Sequence, residues 1–326
     1  LLIDRRAAKT GVSAAAMTPL DRLALIGARS MGALVYEPET PLEPPVVVSL
    51  PELEADAQAV LHDARGPDLD RLLALGGSPH GARPKLLVQL AAEGEVIYGE
   101  RKWRPGCAHY LIKFRALEDG LHAGTLEHAY LRMARAAGID APESRMLGRK
   151  GKHPGYFAVR RFDRDGARKV HLHTLCGLLH APPRVTSLAY RDLLIATRQL
   201  TRNEAAVSEM FRRACFNVFA HNRDDHTRNF AYLMDEAGQW RNSPAYDLTF
   251  SEGPGGEHTL LVHDEGANPT EKHLRSLAAS ADVKRAGPII EQVRSTVRRF
   301  RHFADEAGLP KRETERVARR LGLPAR

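Results

Sequence analysis

The chain has 326 residues, 43% of them hydrophobic and 27% charged, the balance of a globular protein with room for two domains or lobes. Its apolar runs are too short to span a bilayer as a helix, and no membrane contact is expected. The formal net charge of +8, from 48 basic and 40 acidic residues, leaves open either contact with an acidic partner or nucleic acid, or a merely solvated basic face.

In chain order, residues 1 to about 38 read as two short helices and a strand at 32–36, followed by a link with Pro38, Pro41, Pro44 and Pro45. Helical spacing returns at 52–63 and 67–75. The run Gly76-Gly77-Ser78-Pro79-His80-Gly81-Ala82-Arg83-Pro84-Lys85 then opens a strand at 86–90. Glycines let a backbone approach phosphates, and Lys85 or Arg83 would add positive charge. The plainer reading is a Gly-Pro turn, since the run is neither a Walker A sequence nor a dinucleotide fingerprint. Further strands are expected at 95–99 and 109–114. Lys113 interrupts the second of these, where a lysine must be paired or reach the surface.

Residues 125–137 carry core spacing through Leu126, Ala129, Tyr130, Met133 and Ala137, and Gly138 and Pro142 mark the helix end. Glu127 in the first turn either favours the helix dipole or pairs with Lys113. A strand at 156–162 and a turn at Asp163-Arg164-Asp165-Gly166 close a mixed region. Helices dominate afterwards, which sets a lobe boundary near residue 165.

His171-Leu172-His173 has metal-like spacing but no third ligand nearby. The stripe Val207, Met210, Phe211, Ala214, Cys215 and Val218 predicts a buried helix over 203–220, with Cys215 as core. Cys107, Cys176 and Cys215 are dispersed, which fits a reducing cytoplasm rather than a disulfide scaffold. A hairpin is expected around Asp235-Glu236-Ala237-Gly238. The glycine-rich block 252–270, with His258 and His263, reads as a loop without an assigned role. From about 271 the chain is helical and basic, with Asp305, Glu306, Glu313 and Glu315 as local counterweights. No helix-turn-helix or zinc module accompanies those basic residues, so direct base reading is not expected.

The chemistry concentrates in His221-Asn222-Arg223-Asp224-Asp225-His226-Thr227-Arg228-Asn229-Phe230 and Ser243-Pro244-Ala245-Tyr246-Asp247. Asp224 precedes Asn229 by five residues, and the hairpin returns the chain to Asp247. Phosphoryl transfer in protein kinases uses this order: an Asp at the attacking hydroxyl, then an Asn and a later Asp on magnesium. His226 is read as a brace for the loop rather than the base. Ordinary polar turns use the same residue types, but without a buried helix before and a hairpin after. Asp247 is followed by Leu248-Thr249, so the pattern is not that of an ordinary eukaryotic-type kinase.

Together with Ser78 to Lys85, His109 to Lys113, the helix of Glu127 and Val159 to Arg164, these segments resemble the HipA family of serine/threonine kinases, toxins of bacterial type II toxin–antitoxin systems. The resemblance covers nearly the whole chain. It implies an α+β, bilobal protein-kinase-like fold, with a mixed α/β N-lobe built on an antiparallel sheet and a mainly helical C-lobe. The implied divisions are 1–45 as the remainder of an N-terminal subdomain, 46–165 as the N-lobe and 166–326 as the C-lobe. The family's further N-terminal subdomain would precede Leu1, so the sequence is expected to start within a longer protein.

The resemblance further implies cytoplasmic, ATP- and Mg2+-dependent phosphorylation of a translation factor or aminoacyl-tRNA synthetase, leading to growth arrest and persistence. Asp224 would be catalytic, and Asn229 and Asp247 would be the metal ligands. Lys113 would hold phosphates, with Gly81, Ala82, Lys85 and His226 also near the nucleotide. Arg160 to Phe162 would form the hinge beside adenine, and Asp163 would lie near the ribose. Ser78 falls where the family is autophosphorylated and thereby inactivated. The partner would be a HipB-like helix-turn-helix antitoxin, with DNA reached only through it. Arg228 departs from the family's frequent Lys, keeping charge but not shape. A small-molecule phosphotransferase and a catalytically silent co-repressor subunit are the competing readings.

Overall fold

The computed structural model describes residues 14–40, 49–62, 72, 75, 83–98, 102–116, 118–181 and 188–325. The chain forms two compact units, Leu1–Gly124 with Ser144–His171, and Thr125–Glu143 with Leu172–Arg326. Among the described residues no helix is long and apolar enough to cross a membrane. The architecture is α+β, as the sequence predicts.

The first unit is built on a five-stranded antiparallel sheet. Its strands are β1 (Lys85–Ala91), β2 (Val96–Tyr98), β3 (Cys107–Lys113), β4 (Ser144–Leu147) and β5 (Tyr156–Arg160), in the order β2-β1-β3-β5-β4. Period-two alternation sends Leu86, Val88 and Leu90 of β1 and Tyr110 and Ile112 of β3 to one face. Leu53, Ala57 and Val60 cover that face from helix α2 (Leu50–Leu61), which follows the shorter α1 (Pro19–Ile26). Ser49 and Glu52 close a capping box at the start of α2. Phe114 meets Tyr156 edge to face at 5.6 Å within this core.

The strand expected at 32–36 does not form. The chain there is held by side chains instead of by a ladder. Arg164 donates to Ser30 O and Gly32 O, Gly32 N donates to Asp163, and Lys169 donates to Ala28 O. Arg164 and Lys169 sit on the two-stranded ribbon β6 (Arg164–Asp165) and β7 (Arg168–Lys169). The expected loop residues Ser78, Gly81 and Ala82, and most of the helix expected at 67–75, lie outside the described residues.

The second unit centres on α6 (Glu204–Phe219), preceded by α4 (Leu175–Leu178) and α5 (Tyr190–Thr201). Asn203 caps α6 by accepting from Ala205 N. Val207, Met210, Phe211, Ala214, Cys215 and Phe216 are buried at helical spacing, so Cys215 is core. Burial pushes its thiol far above the ordinary range, which leaves it inert. Helix α3 (Ala123–Ala136), which a linear division at 165 assigns to the first lobe, packs here. Its Tyr130 meets Phe216 and Phe300 edge to face and donates to Ala220 O at 2.8 Å. A small sheet in the order β10-β9-β8 joins β8 (His171–Thr174) to the expected hairpin, β9 (Ala231–Met234) and β10 (Trp240–Asn242). Helices α7 (Glu271–Ser280), α8 (Ala286–Val297), α9 (Phe300–Ala307) and α10 (Lys311–Arg320) complete the unit.

Candidate phosphoryl-transfer site

In the second unit α6 ends at Phe219, with Ala220 as its C-cap, and His221 takes a left-handed conformation, φ 53°, which turns the chain into the Asp224 segment. The segment is fixed from two sides. Ser251 N donates to His221 O and Arg223 N donates to Ser251 O. Asn222 donates from its amide to Asn217 Oδ1 of α6 at 2.9 Å. Asp224 itself is exposed, and the side-chain amide of Asn229 donates to its backbone oxygen at 2.8 Å. The five-residue spacing read from the sequence is therefore closed into one turn, ending in the 3-10 turn Thr227–Asn229.

His226 lies with Nε2 3.8 Å from Asp224 Oδ1, which is a near contact rather than a hydrogen bond. Its other ring nitrogen, Nδ1, is buried without a hydrogen-bond partner among the described residues, so the bracing hydrogen bonds expected of it are not formed here.

Asp247 arrives by a separate route. Arg213 of α6, 2% exposed, donates to Ser243 O at 2.8 Å. Ala245 N donates to Asp140 O at 2.7 Å, and Tyr246 donates its hydroxyl to Arg228 O at 2.5 Å. That last bond ties the segment ending in Asp247 to the turn ending in Asn229. Burial drives the Tyr246 phenol well upward, with the Asp247 charge adding to the effect, so it stays a donor. Asp247 has φ 53°, left-handed and uncommon for a residue with a side chain. Such strain persists only where the surrounding structure imposes it.

The donor chemistry fits magnesium. With its nitrogen committed to Asp224 O, Asn229 presents Oδ1, and Asp247 adds a carboxylate. These are hard oxygens of the kind magnesium takes alongside phosphate oxygens and water. Among the described residues no group of three or more His, Cys, Asp and Glu side chains forms a metal cluster, His171 and His173 included.

In the first unit Lys113 ends β3, opposite Lys85 of β1 and Phe157 of β5. Its ammonium lies 5.6 Å from the Phe157 ring centroid. That contact partly compensates a cation in an apolar strand. Arg83, considered as a phosphate ligand, forms a two-pronged pair with Asp119, at 2.8 and 2.7 Å. Arg160 is exposed and Phe162 half-buried.

Asp163, expected beside a ribose, is fully buried. Arg161 donates to both its oxygens at 2.9 and 2.8 Å, Arg164 donates at 2.9 Å and Gly32 N at 2.7 Å. A ribose hydroxyl would have to displace one of these donors, so the carboxylate serves as an anchor. Burial alone would raise its pKa, but the Arg161 hydrogen bonds and the Arg161 and Arg164 charges outweigh that and hold it below the usual range.

One residue at the centre of the second-unit group went unread in the sequence. Asp225 is 1% exposed and accepts from Tyr190, His258, Thr259 N and Leu260 N. The spacing of Tyr190, Leu193, Leu194 and Thr197 was a signal for the helix that carries Tyr190. No local signal links Asp225 to His258.

The HipA-like C-terminal domain family matches residues 77–321. A Haemophilus influenzae protein described as a candidate kinase is 28% identical over 135 residues, 37% of this chain and 39% of that one. The Sinorhizobium fredii candidate kinase Y4mE is 28% identical over 138 residues, 38% of this chain and 32% of that one. The chain thus covers well under half the length of these relatives. The fold is that of HipA from Shewanella oneidensis MR-1, solved with HipB and its operator DNA. The TM-score is 0.69 at 17% identity, over 98% of this chain and 80% of that one.

Proposed function

The chain belongs to the HipA-like C-terminal domain family, and from that membership we propose that it is an ATP-dependent protein serine/threonine kinase acting as a toxin. The observation that carries this reading is the closed turn in which Asn229 holds Asp224 O, with Tyr246 binding the Asp247 segment to the same turn. An exposed carboxylate on a turn shared with Asn229 and tied to the segment of Asp247 suits phosphoryl transfer, where positioning and electrostatics supply most of the catalysis.

In this reading Asp224 orients the substrate hydroxyl and accepts its proton. His226 lies beside that carboxylate. Asn229 and Asp247 hold magnesium, which would neutralise charge on the nucleotide phosphates. Lys113 and Lys85 add positive charge toward the phosphates, and the backbone of Arg160 to Phe162 borders adenine. Gly81 and Ala82 belong to the phosphate-covering loop, and Ser78 is its autophosphorylation site. The kinase lobes correspond to 46–165 and 166–326. The partner is a HipB-like antitoxin, by analogy with the Shewanella complex. The substrate is a cytoplasmic protein such as an aminoacyl-tRNA synthetase.

The test is incubation with radiolabelled ATP. Wild type is expected to label itself or a protein substrate in a magnesium-dependent way, and Asp224→Ala to lose at least about a hundredfold of that rate. Equal labelling by the two proteins would reject the assignment. Turnover of a sugar, amine or antibiotic without any protein labelling would favour a small-molecule phosphotransferase.

A further inference from the structure

Asp225 stands between the exposed Asp224 and His226, yet its own side chain is sealed in. Tyr190 of α5 donates to Oδ2 at 2.6 Å, and His258 Nδ1 to the same oxygen at 2.7 Å. Thr259 N donates to Oδ1 at 2.7 Å and Leu260 N at 3.4 Å. A carboxylate accepts at about four positions, and these donors fill them. Tyr190 in turn accepts from Asn217 of α6 at 2.8 Å, and Asn217 accepts from Asn222 at the entry to the turn. Burial and the Asp225 charge push the Tyr190 phenol well up, so it remains a proton donor.

One carboxylate thus joins α5, α6 and the block 252–270, which otherwise has no assigned role. In extended chain successive side chains point to opposite sides. An Asp225 locked inward therefore leaves Asp224 facing solvent on one flank. His226, with φ −72° and ψ 163°, continues the extended path on the other.

We propose that Asp225, held by Tyr190 and His258, is a positioning residue that aims Asp224 for phosphoryl transfer, and that the 252–270 block exists to supply its donors. This rests on the kinase reading above. Asp225 touches no reacting atom; it acts by fixing the backbone from which Asp224 projects. A displacement of about 1 Å at a catalytic group can lower a rate on the order of a hundredfold.

The test compares His258→Ala, His258→Asn, Tyr190→Phe and Asp225→Asn in steady-state kinetics, with melting curves alongside. An Asn at 258 places an amide nitrogen where His Nδ1 stood. The expected result is a kcat at least about tenfold down in His258→Ala and Asp225→Asn. KM for ATP should stay within about twofold, and His258→Asn should recover most of the lost kcat. A kcat near the wild-type value in both variants overturns the proposal. So does a joint loss of kcat, ATP affinity and melting temperature without rescue by Asn, since that is general unfolding. If wild type transfers no phosphate at all, the kinase reading fails separately. Amide hydrogen exchange then decides the anchoring: faster exchange confined to 222–229 in His258→Ala supports it, and unchanged exchange overturns it.

Discussion

Two buried aspartates act in different ways, and neither difference is visible in residue type. Asp225 sits within the candidate catalytic turn, while Asp163 pairs with two guanidinium groups and holds Gly32 through its amide. Replacing Asp163 by Asn leaves the buried guanidinium groups of Arg161 and Arg164 without their counter-charge. Breaking a buried pair from one side typically costs about 3–5 kcal/mol. Asp163→Asn is therefore expected to lower the urea midpoint of the first unit clearly at pH 7. The pH dependence has a fixed sign. The folded pKa lies below the unfolded one, so the stabilisation is present above the unfolded pKa of about 4 and is lost as pH falls through the folded value. The gap between wild type and variant should shrink on acidification into that range. Equal urea midpoints at pH 7 would remove the anchor role.

The elements were legible where the signal is local, and less so where a segment is held by distant side chains. The apolar stripe from Val207 to Val218 marked α6, and Asp235 to Gly238 marked the β9–β10 turn. The hydrophobic run at 32–36 looked like a strand, but Gly32 at its start bonds through its carbonyl and amide to Arg164 and Asp163, some 130 residues away, and Tyr36 N turns back to Gly27 O. The loop 252–270 was equally opaque, because His258, Thr259 and Leu260 follow Asp225 by 33, 34 and 35 residues. The order Asp224, Asn229, Asp247 was legible, while the bonds that assemble it were not.

Gly253 shows how tightly that loop is fitted. It has φ +74°, and a Cβ there would lie 2.1 Å from Glu257 O and 2.6 Å from Arg223 Cβ. With ψ at 165° this is a backbone region essentially reserved for glycine, which alone costs a side-chain-bearing residue about 1–3 kcal/mol, and the overlap with a backbone oxygen adds to it. Gly253→Ala should therefore lower the melting temperature and slow turnover together, because Arg223 adjoins Asp224. A variant with wild-type melting and turnover would mean that the loop adjusts freely.

At the scale of the whole molecule, the family assignment places the chain among HipA-like proteins, but binding and chemistry are separable properties of it. A ligand that binds only the folded state stabilises it by RT ln(1 + [L]/Kd), about 2.7 kcal/mol at a hundred times Kd. For a protein of this size that corresponds to a rise in melting temperature of roughly 4 °C. Magnesium-ATP is expected to produce such a rise. Asp247→Asn should remove the part that depends on magnesium, since an amide oxygen replaces a charged donor. Asp224→Ala should keep the rise, because Asp224 is exposed and is assigned to the hydroxyl rather than to the metal. The three melting curves thus divide nucleotide binding from phosphoryl transfer. A kinase gives a shift in wild type and in Asp224→Ala, with labelling in wild type alone. A wild-type protein whose melting temperature ignores magnesium-ATP would refute nucleotide binding and favour the catalytically silent reading.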